Sequence, residues 1–295
     1  MSDVMTLFSG VSSVVLDSPH SGTEYPVDFD HACDRNVLRQ AEDTYVDWLY
    51  AFAKDMGVSL LCARFPRSYL DANRGLNEID SELFDSPWPH DTVKSEKVRL
   101  GKGLVWRLTD DGVPIYDRKL THDEVSRRIA RCWHPYHAAL ANAIDAAHSM
   151  HGRCTHINCH SMPSVAGSHA TSYPGMVHPD IVIGDRDGST ARPGLAIWVA
   201  RFFSERGYSV SVNNPYKGVE LVRRYSDPRA GRNSLQLEIN RKLYMDERTL
   251  ALEPGHVQLQ RDLRDLVFQL ETAPSEGIPM THRKPTPLLP RGREL

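Results

Sequence analysis

With 295 residues, 40% of them hydrophobic, the chain can bury the core of one large domain or two small ones. Lys and Arg number 35 against 38 Asp and Glu, and a formal charge of -3 gives no basic stripe for a phosphate backbone, which argues against a nucleic-acid partner. No segment approaches the roughly 20 apolar residues needed to cross a bilayer, and Met1 to Thr6 lack the basic-then-apolar order of a secretion signal. The five cysteines, at 33, 62, 132, 154 and 159, are odd in number and lack zinc-knuckle spacing. They read as reduced thiols of a soluble cytoplasmic protein. Oligomeric state is not legible.

In chain order, residues 11–17 predict a central strand, released into a loop by Pro19, Ser21 and Gly22. Asp43 to Met56 carries Val46, Leu49, Tyr50 and Ala53 at helical spacing, Gly57 stops it, and Val58 to Ala63 predicts the next strand. Residues 77–112, broken by prolines and glycines, read as an insertion over the rim of a site or as surface loop. Thr121 to Met150 resumes a long helical pattern that Pro135 bends or divides. Thr155 to Asn158 predicts a strand, Leu195 to Arg206 a helix, Ser209 to Val212 and Ser234 to Ile239 two more strands, and Pro254 to Leu270 the last helix. This alternation implies a mostly parallel sheet covered on both faces, one catalytic domain over residues 1–272, and a Pro-rich tail over 273–295.

Two apolar runs each end on a histidine in a small-residue turn, Val14 to Gly22 with His20 and Thr155 to Ser161 with His160. Imidazoles at strand ends suit a metal at the rim of an α/β sheet, and hydrogen-bonded structural histidines are the competing reading. Asp43 is the carboxylate to complete such a site, although an acid at a helix start also stabilises free backbone N–H groups; Glu24 is the alternative. Arg67 is placed to stabilise an oxyanion, and Asn73 and Arg74 follow in the same segment, where the Arg fork suits a substrate carboxylate. Glu238 lies inside Leu235-Gln236-Leu237-Glu238-Ile239, and an acid in so apolar a strand needs a partner or a task. Lys217, Arg223, Arg224 and Arg229 form a local basic cluster suited to a small anion. The chain has no H-E-x-x-H helix, G-x-S-x-G elbow, G-x-G-x-x-G turn or Walker loop.

Seven ordered stretches resemble the N-formylglutamate amidohydrolase family: Ser18-Pro19-His20-Ser21-Gly22-Thr23; Asp43-Thr44 with Leu49-Tyr50; Arg67 to Arg74; Trp133-His134-Pro135-Tyr136-His137; Cys159-His160-Ser161; Asn214-Pro215-Tyr216-Lys217-Gly218; and Gln236-Leu237-Glu238 before Tyr244-Met245. The resemblance spans residues 10 to 270 and implies a three-layer α/β/α fold similar to zinc carboxypeptidases. It implies one Zn2+ on His20, Asp43 and His160, Glu238 as general base and Arg67 beside the developing oxyanion. It also implies Asn73, Arg74, Asn214 and Lys217 at the substrate, a small acidic N-acyl amino acid with N-formyl-L-glutamate foremost. Members that degrade histidine more often carry Asp-Leu-Asn-Arg-Pro and Asn-Gly-Arg-Phe-Lys-Gly-Gly where this chain reads Asp71-Ala72-Asn73-Arg74-Gly75 and Asn213-Asn214-Pro215-Tyr216-Lys217-Gly218-Val219. The alternatives are a zinc deacylase or carboxypeptidase for another small acidic substrate, and a nonhydrolytic sensor of acidic ligands.

Overall fold

Val14, Val15 and Leu16 are fully buried, which accounts for the lack of polar alternation along their strand: both of its faces are covered. The computed structural model describes residues 4–167 and 174–272, so the expected tail at 273–295 lies outside the described residues. Its strands are β1 (Met5–Phe8), β2 (Val14–Ser18), β3 (Ser59–Ala63), β4 (Cys154–Met162), β5 (Ile181–Gly184), β6 (Val210–Val212) and β7 (Arg232–Asn240). They form one sheet in the order β1-β3-β2-β4-β7-β5-β6. β3, β2, β4 and β7 are mutually parallel, β6 is parallel to β5, and β1 and β5 run antiparallel to β3 and β7.

The helices are α1 (Arg35–Arg39), α2 (Val46–Leu49), α3 (Glu96–Arg99), α4 (His122–Arg128), α5 (His134–His151), α6 (Leu195–Ser204), α7 (Glu220–Tyr225) and α8 (His256–Thr272). One core joins Val14, Leu16, Ile157 and Leu237 to apolar residues of α2, α6 and α8. A second joins Val15 and Leu61 to Tyr136, Leu140 and Ile144 of α5, Leu221 of α7, and Leu104 and Trp106 of the inserted segment. Helices on both faces of a largely parallel sheet make the expected three-layer α/β/α arrangement.

Three local departures matter for the site. The helix expected over 43–56 shrinks to α2 and a 3-10 stretch, Ala51–Met56, because the Asp43 N–H is held by the His20 carbonyl at 3.0 Å and Tyr45 sits at φ 67. The long pattern after Thr121 divides into α4, a wide turn at Ile129–Trp133 and α5, with Pro135 just inside α5. β4 runs four residues past its expected end, so His160 lies within the strand and not after it. The short elements β1, β5 and α7 had no counterpart in the sequence reading.

His137 locks α5 to the loop that precedes the site. Its ring stacks on Trp133 with centroids 3.6 Å apart, and its nitrogens meet the Ala72 carbonyl and the Tyr225 hydroxyl, each at 2.8 Å. Burial lowers its pKa to about 4, against the pull of the Ala72 carbonyl. Between pH 6.5 and 4 the unfolded chain therefore binds a proton that the folded chain refuses, and stability falls as pH drops through that window. Urea unfolding should show a fall of about 2 kcal/mol between pH 6.5 and 5 from this group. In His137→Gln the slope over the same interval should be shallower, and an unchanged slope would reject the assignment.

Candidate metal and catalytic site

The parallel strands bring the catalytic candidates to one end of the sheet. Asp17 is level with Asn158, so His20, three residues on, emerges beside His160. His160 is in register with Glu238 on β7. Side chains two apart share a sheet face, and Asp17, His156, Asn158, His160, Ser234, Gln236 and Glu238 make a polar stripe under α5 and α7. The turn after β2 needs Gly22, since a Cβ there would lie 2.3 Å from the Phe65 carbonyl oxygen.

His20, Asp43 and His160 are fully buried, with one ligand atom from each within 4.8 Å of the others. Asp43 Oδ2 lies 2.9 Å from His160 Nδ1 and 3.4 Å from His20 Nδ1. The far nitrogens of both rings are held from behind. His20 Nε2 donates to Asp71 Oδ1 at 2.7 Å, because a carboxylate only accepts. Asn158 donates from Nδ2 to Asp17 Oδ1 at 2.8 Å, which turns its Oδ1 toward His160 and makes His160 Nε2 the donor at 2.7 Å. His20 Nδ1 therefore carries a lone pair, while His160 Nδ1, 2.9 Å from an Asp43 oxygen that can only accept, shares with it a proton that a bound cation would replace. His20 Nδ1 is buried without a hydrogen-bond partner, the condition expected of an atom that awaits a cation. The donor set fits a divalent metal.

Charge around this cluster is closely balanced. Burial pushes the Asp43 carboxyl up, but its contacts with His160 and His20 and the Arg67 charge outweigh that and hold it well below the usual range. Asp71 is likewise raised by burial and held low by Arg74, His20 and Arg67. Arg67 Nη1 and Arg241 Nη2 approach Asp43 Oδ1 at 3.5 and 3.4 Å. Glu238 behaves oppositely: burial, then the Asp43 charge, pushes it up to about 8 against Arg67, Arg241 and Lys97. Gln236 Nε2 donates to Glu238 Oε1 at 2.8 Å.

The remaining expected residues separate. Glu24 is half exposed and its Oε1 accepts from Arg64 Nε at 2.7 Å, and the carboxylate that lies with both imidazoles is that of Asp43. Asn73 approaches His160 Nε2 and Asn158 Oδ1 through Nδ2, at 3.1 and 3.2 Å, and accepts from the Leu221 N–H. Arg74 is 3% exposed; its guanidinium donates to the Lys102 and Asn73 carbonyls and lies 3.4 Å from Asp71 Oδ2. Asn214 and Lys217 are exposed on the loop after β6, with Lys217 Nζ 2.8 Å from Asp187. In the basic cluster, Arg223 and Arg224 both pair with Glu220. The inserted segment reaches the site through Trp106, whose Nε1 donates to Asp71 Oδ2 at 3.3 Å.

Sequence reasoning assigned no role to Asp17, Asp71, Asn158 or Arg241. The polar residues at 156, 158 and 160 between Ile157 and Cys159 were the available signal: a period of two along a buried strand.

A model of the N-formylglutamate amidohydrolase family matches residues 12–245. N-formylglutamate deformylase of Pseudomonas aeruginosa is 28% identical over 255 residues, covering 84% of this chain and 87% of that protein. The Pseudomonas putida enzyme of the same name is 26% identical over 281 residues, covering 90% and 97%. The crystal structure of N-formylglutamate amidohydrolase from Ralstonia eutropha JMP134 superposes with a TM-score of 0.85 at 46% identity, covering 90% of this chain and 96% of that one. With its fold, its buried His-Asp-His cluster and this match over most of its length, the chain belongs to the N-formylglutamate amidohydrolase family.

Proposed function

We propose that the chain hydrolyses N-formyl-L-glutamate, or a closely related N-acyl amino acid, to formate or the corresponding carboxylate and the free amino acid. The observation that carries this reading is the convergence of three ligand atoms, from His20, Asp43 and His160, beside a buried carboxyl group of raised proton affinity. Two neutral imidazoles and a carboxylate suit zinc, one ion per chain; when bound it supplies Lewis acidity toward water and the amide carbonyl.

Glu238 takes the proton of the attacking water and returns it to the leaving amine as the C–N bond breaks. Its raised pKa suits both steps, since a weak carboxylate base would release water's proton too readily. Arg67 stabilises the oxyanion that develops on the acyl oxygen. In support, its Nε is buried without a partner, an unsatisfied donor whose cost falls as negative charge builds nearby. Asn73 and Arg74 act in this reading through His160 and Asp71, whereas Asn214 and Lys217 contact the outer part of the substrate.

The test is product analysis with zinc-loaded protein on N-formyl-L-glutamate, N-formyl-L-glutamine and short N-acylated amino acids. Equimolar formate and glutamate are expected. Acetate, or a released amino acid without formate, would favour another deacylase or a carboxypeptidase. Stoichiometric binding without product would favour a sensor.

A further inference from the structure

The inserted segment carries a cation that the reaction scheme above leaves unused. α3 is anchored by its buried Val98 and by Ser95, which caps it and donates to Glu78. Lys97, on the same turn, is half-buried, and no hydrogen bond or ion pair engages its ammonium among the described residues. The Lys97 carbonyl accepts from the Lys102 N–H at 2.8 Å, and Lys102 in turn holds Arg74 through its own carbonyl and lies over Trp106, which donates to Asp71; these contacts set Lys97 beside the catalytic cluster, among the charges of Arg74, Lys102 and Arg67. Burial, followed by the repulsion of those three cations, lowers it to about 8, with Glu96 opposing only in part.

Of the acids on this side of the site, Glu238 is held by Gln236 Nε2 and carries the proton transfer, and the other three are already taken by cations. Asp43 is shared by Arg67 and Arg241, and Asp71 by Arg67 and Arg74. Asp110, half exposed, pairs with Lys102. Lys102 Nζ and the Arg67 guanidinium lie 5.6 and 5.0 Å from the centre of the Trp106 ring, so one indole bridges the oxyanion candidate and the lysine wall. A half-buried ammonium crowded by like charges gains from an anion that the protein does not provide.

We propose that Lys97, backed by Lys102, binds a carboxylate of the substrate remote from the scissile amide and so sets the preference for acidic over neutral N-acyl amino acids. The assignment rests on the proposed hydrolysis for its substrate, and it gives Lys97 the carboxylate-binding role expected of Arg74. Arg74 is committed to Asp71 and two backbone carbonyls. Exposed Lys217 already has Asp187.

The experiment compares wild type, Lys97→Gln and Lys97→Arg on N-formyl-L-glutamate and N-formyl-L-glutamine by formate release. Calorimetric binding of L-glutamate and L-glutamine to the zinc-loaded proteins runs alongside. Lys97→Gln should lose about 10–100-fold in kcat/KM on the acidic substrate, mostly through KM, the range of a charge-assisted hydrogen bond. Its loss on the neutral substrate should be at least several-fold smaller, and Lys97→Arg should recover most of the discrimination. The glutamate-over-glutamine binding ratio should fall in parallel. Equal losses on both substrates with an unchanged binding ratio would overturn the assignment, as would no loss in either assay. If wild type binds glutamate selectively through Lys97 but releases no formate, the hydrolytic reading fails and the Lys97 assignment stands. If formate is released and Lys97→Gln keeps its discrimination, the reverse holds. Wild type that neither hydrolyses nor preferentially binds the acidic compounds would overturn both.

Discussion

Replacing Glu238 with glutamine is expected to lower kcat on N-formyl-L-glutamate by about 10²–10⁴-fold, the contribution of a positioned general base. Glutamine preserves the size of the side chain and can still accept the hydrogen bond from Gln236, so the strand should keep its packing. The substitution also removes one of two buried acids whose charges oppose each other, Glu238 and Asp43. Zinc content should therefore stay near wild type, and Tm should be equal or higher. Formate release under saturating substrate is the measurement, with metal analysis on the same preparation. A near-wild-type kcat would remove Glu238 from the proton transfer, whereas a loss of metal would show that the carboxylate serves the cluster instead.

His20→Ala should produce the largest loss of metal. The substitution deletes the Nδ1 that lacks a protein partner and frees Asp71 Oδ1 from its 2.7 Å contact with the ring. Changes to residues that only support ligands cost about 10–100-fold in metal affinity, and removal of a ligand should exceed that range. Activity should fall with it. Zinc per chain, measured at matched protein concentration after gel filtration, decides the matter together with formate release. Asp43→Asn, which keeps the shape of the side chain and halves its acceptor capacity, should move both readouts in the same direction. Equal zinc and retained activity in His20→Ala would reject His20 as a ligand.

The architecture was legible because its signals are local. Val14 to Leu16 and Leu60 to Ala63 are apolar on both faces, as central parallel strands require, Leu235, Leu237 and Ile239 are apolar on one, and helical spacing separates the three runs. Periodicity of that kind survives without knowledge of the neighbours. Residues 181–184 and 220–225 are too short to show a period, and their strand and helix exist because β7 and the loop that carries Asn73 pack against them. Asp43 shows the same limit at a single residue. Its place before a helix read equally well as a cap, and only the folded chain turns its carboxylate to His20 and His160.

The two strand-end histidines and the acid in an apolar strand were visible from residue type alone, because buried polar groups are costly and so stand out against apolar surroundings. Sequence order could not supply the assignment of partners. Asp71 follows Arg67 by four residues and Arg74 by three in reverse, yet its hydrogen bond to His20 spans 51 positions. Asn158 receives its orientation from Asp17, 141 residues away, and through it His160 acquires its tautomer. The chain by itself determined which residue types would be buried and on which elements; the parallel register of β2, β4 and β7 decided which of them meet, because ligand geometry depends on distances that only packing sets.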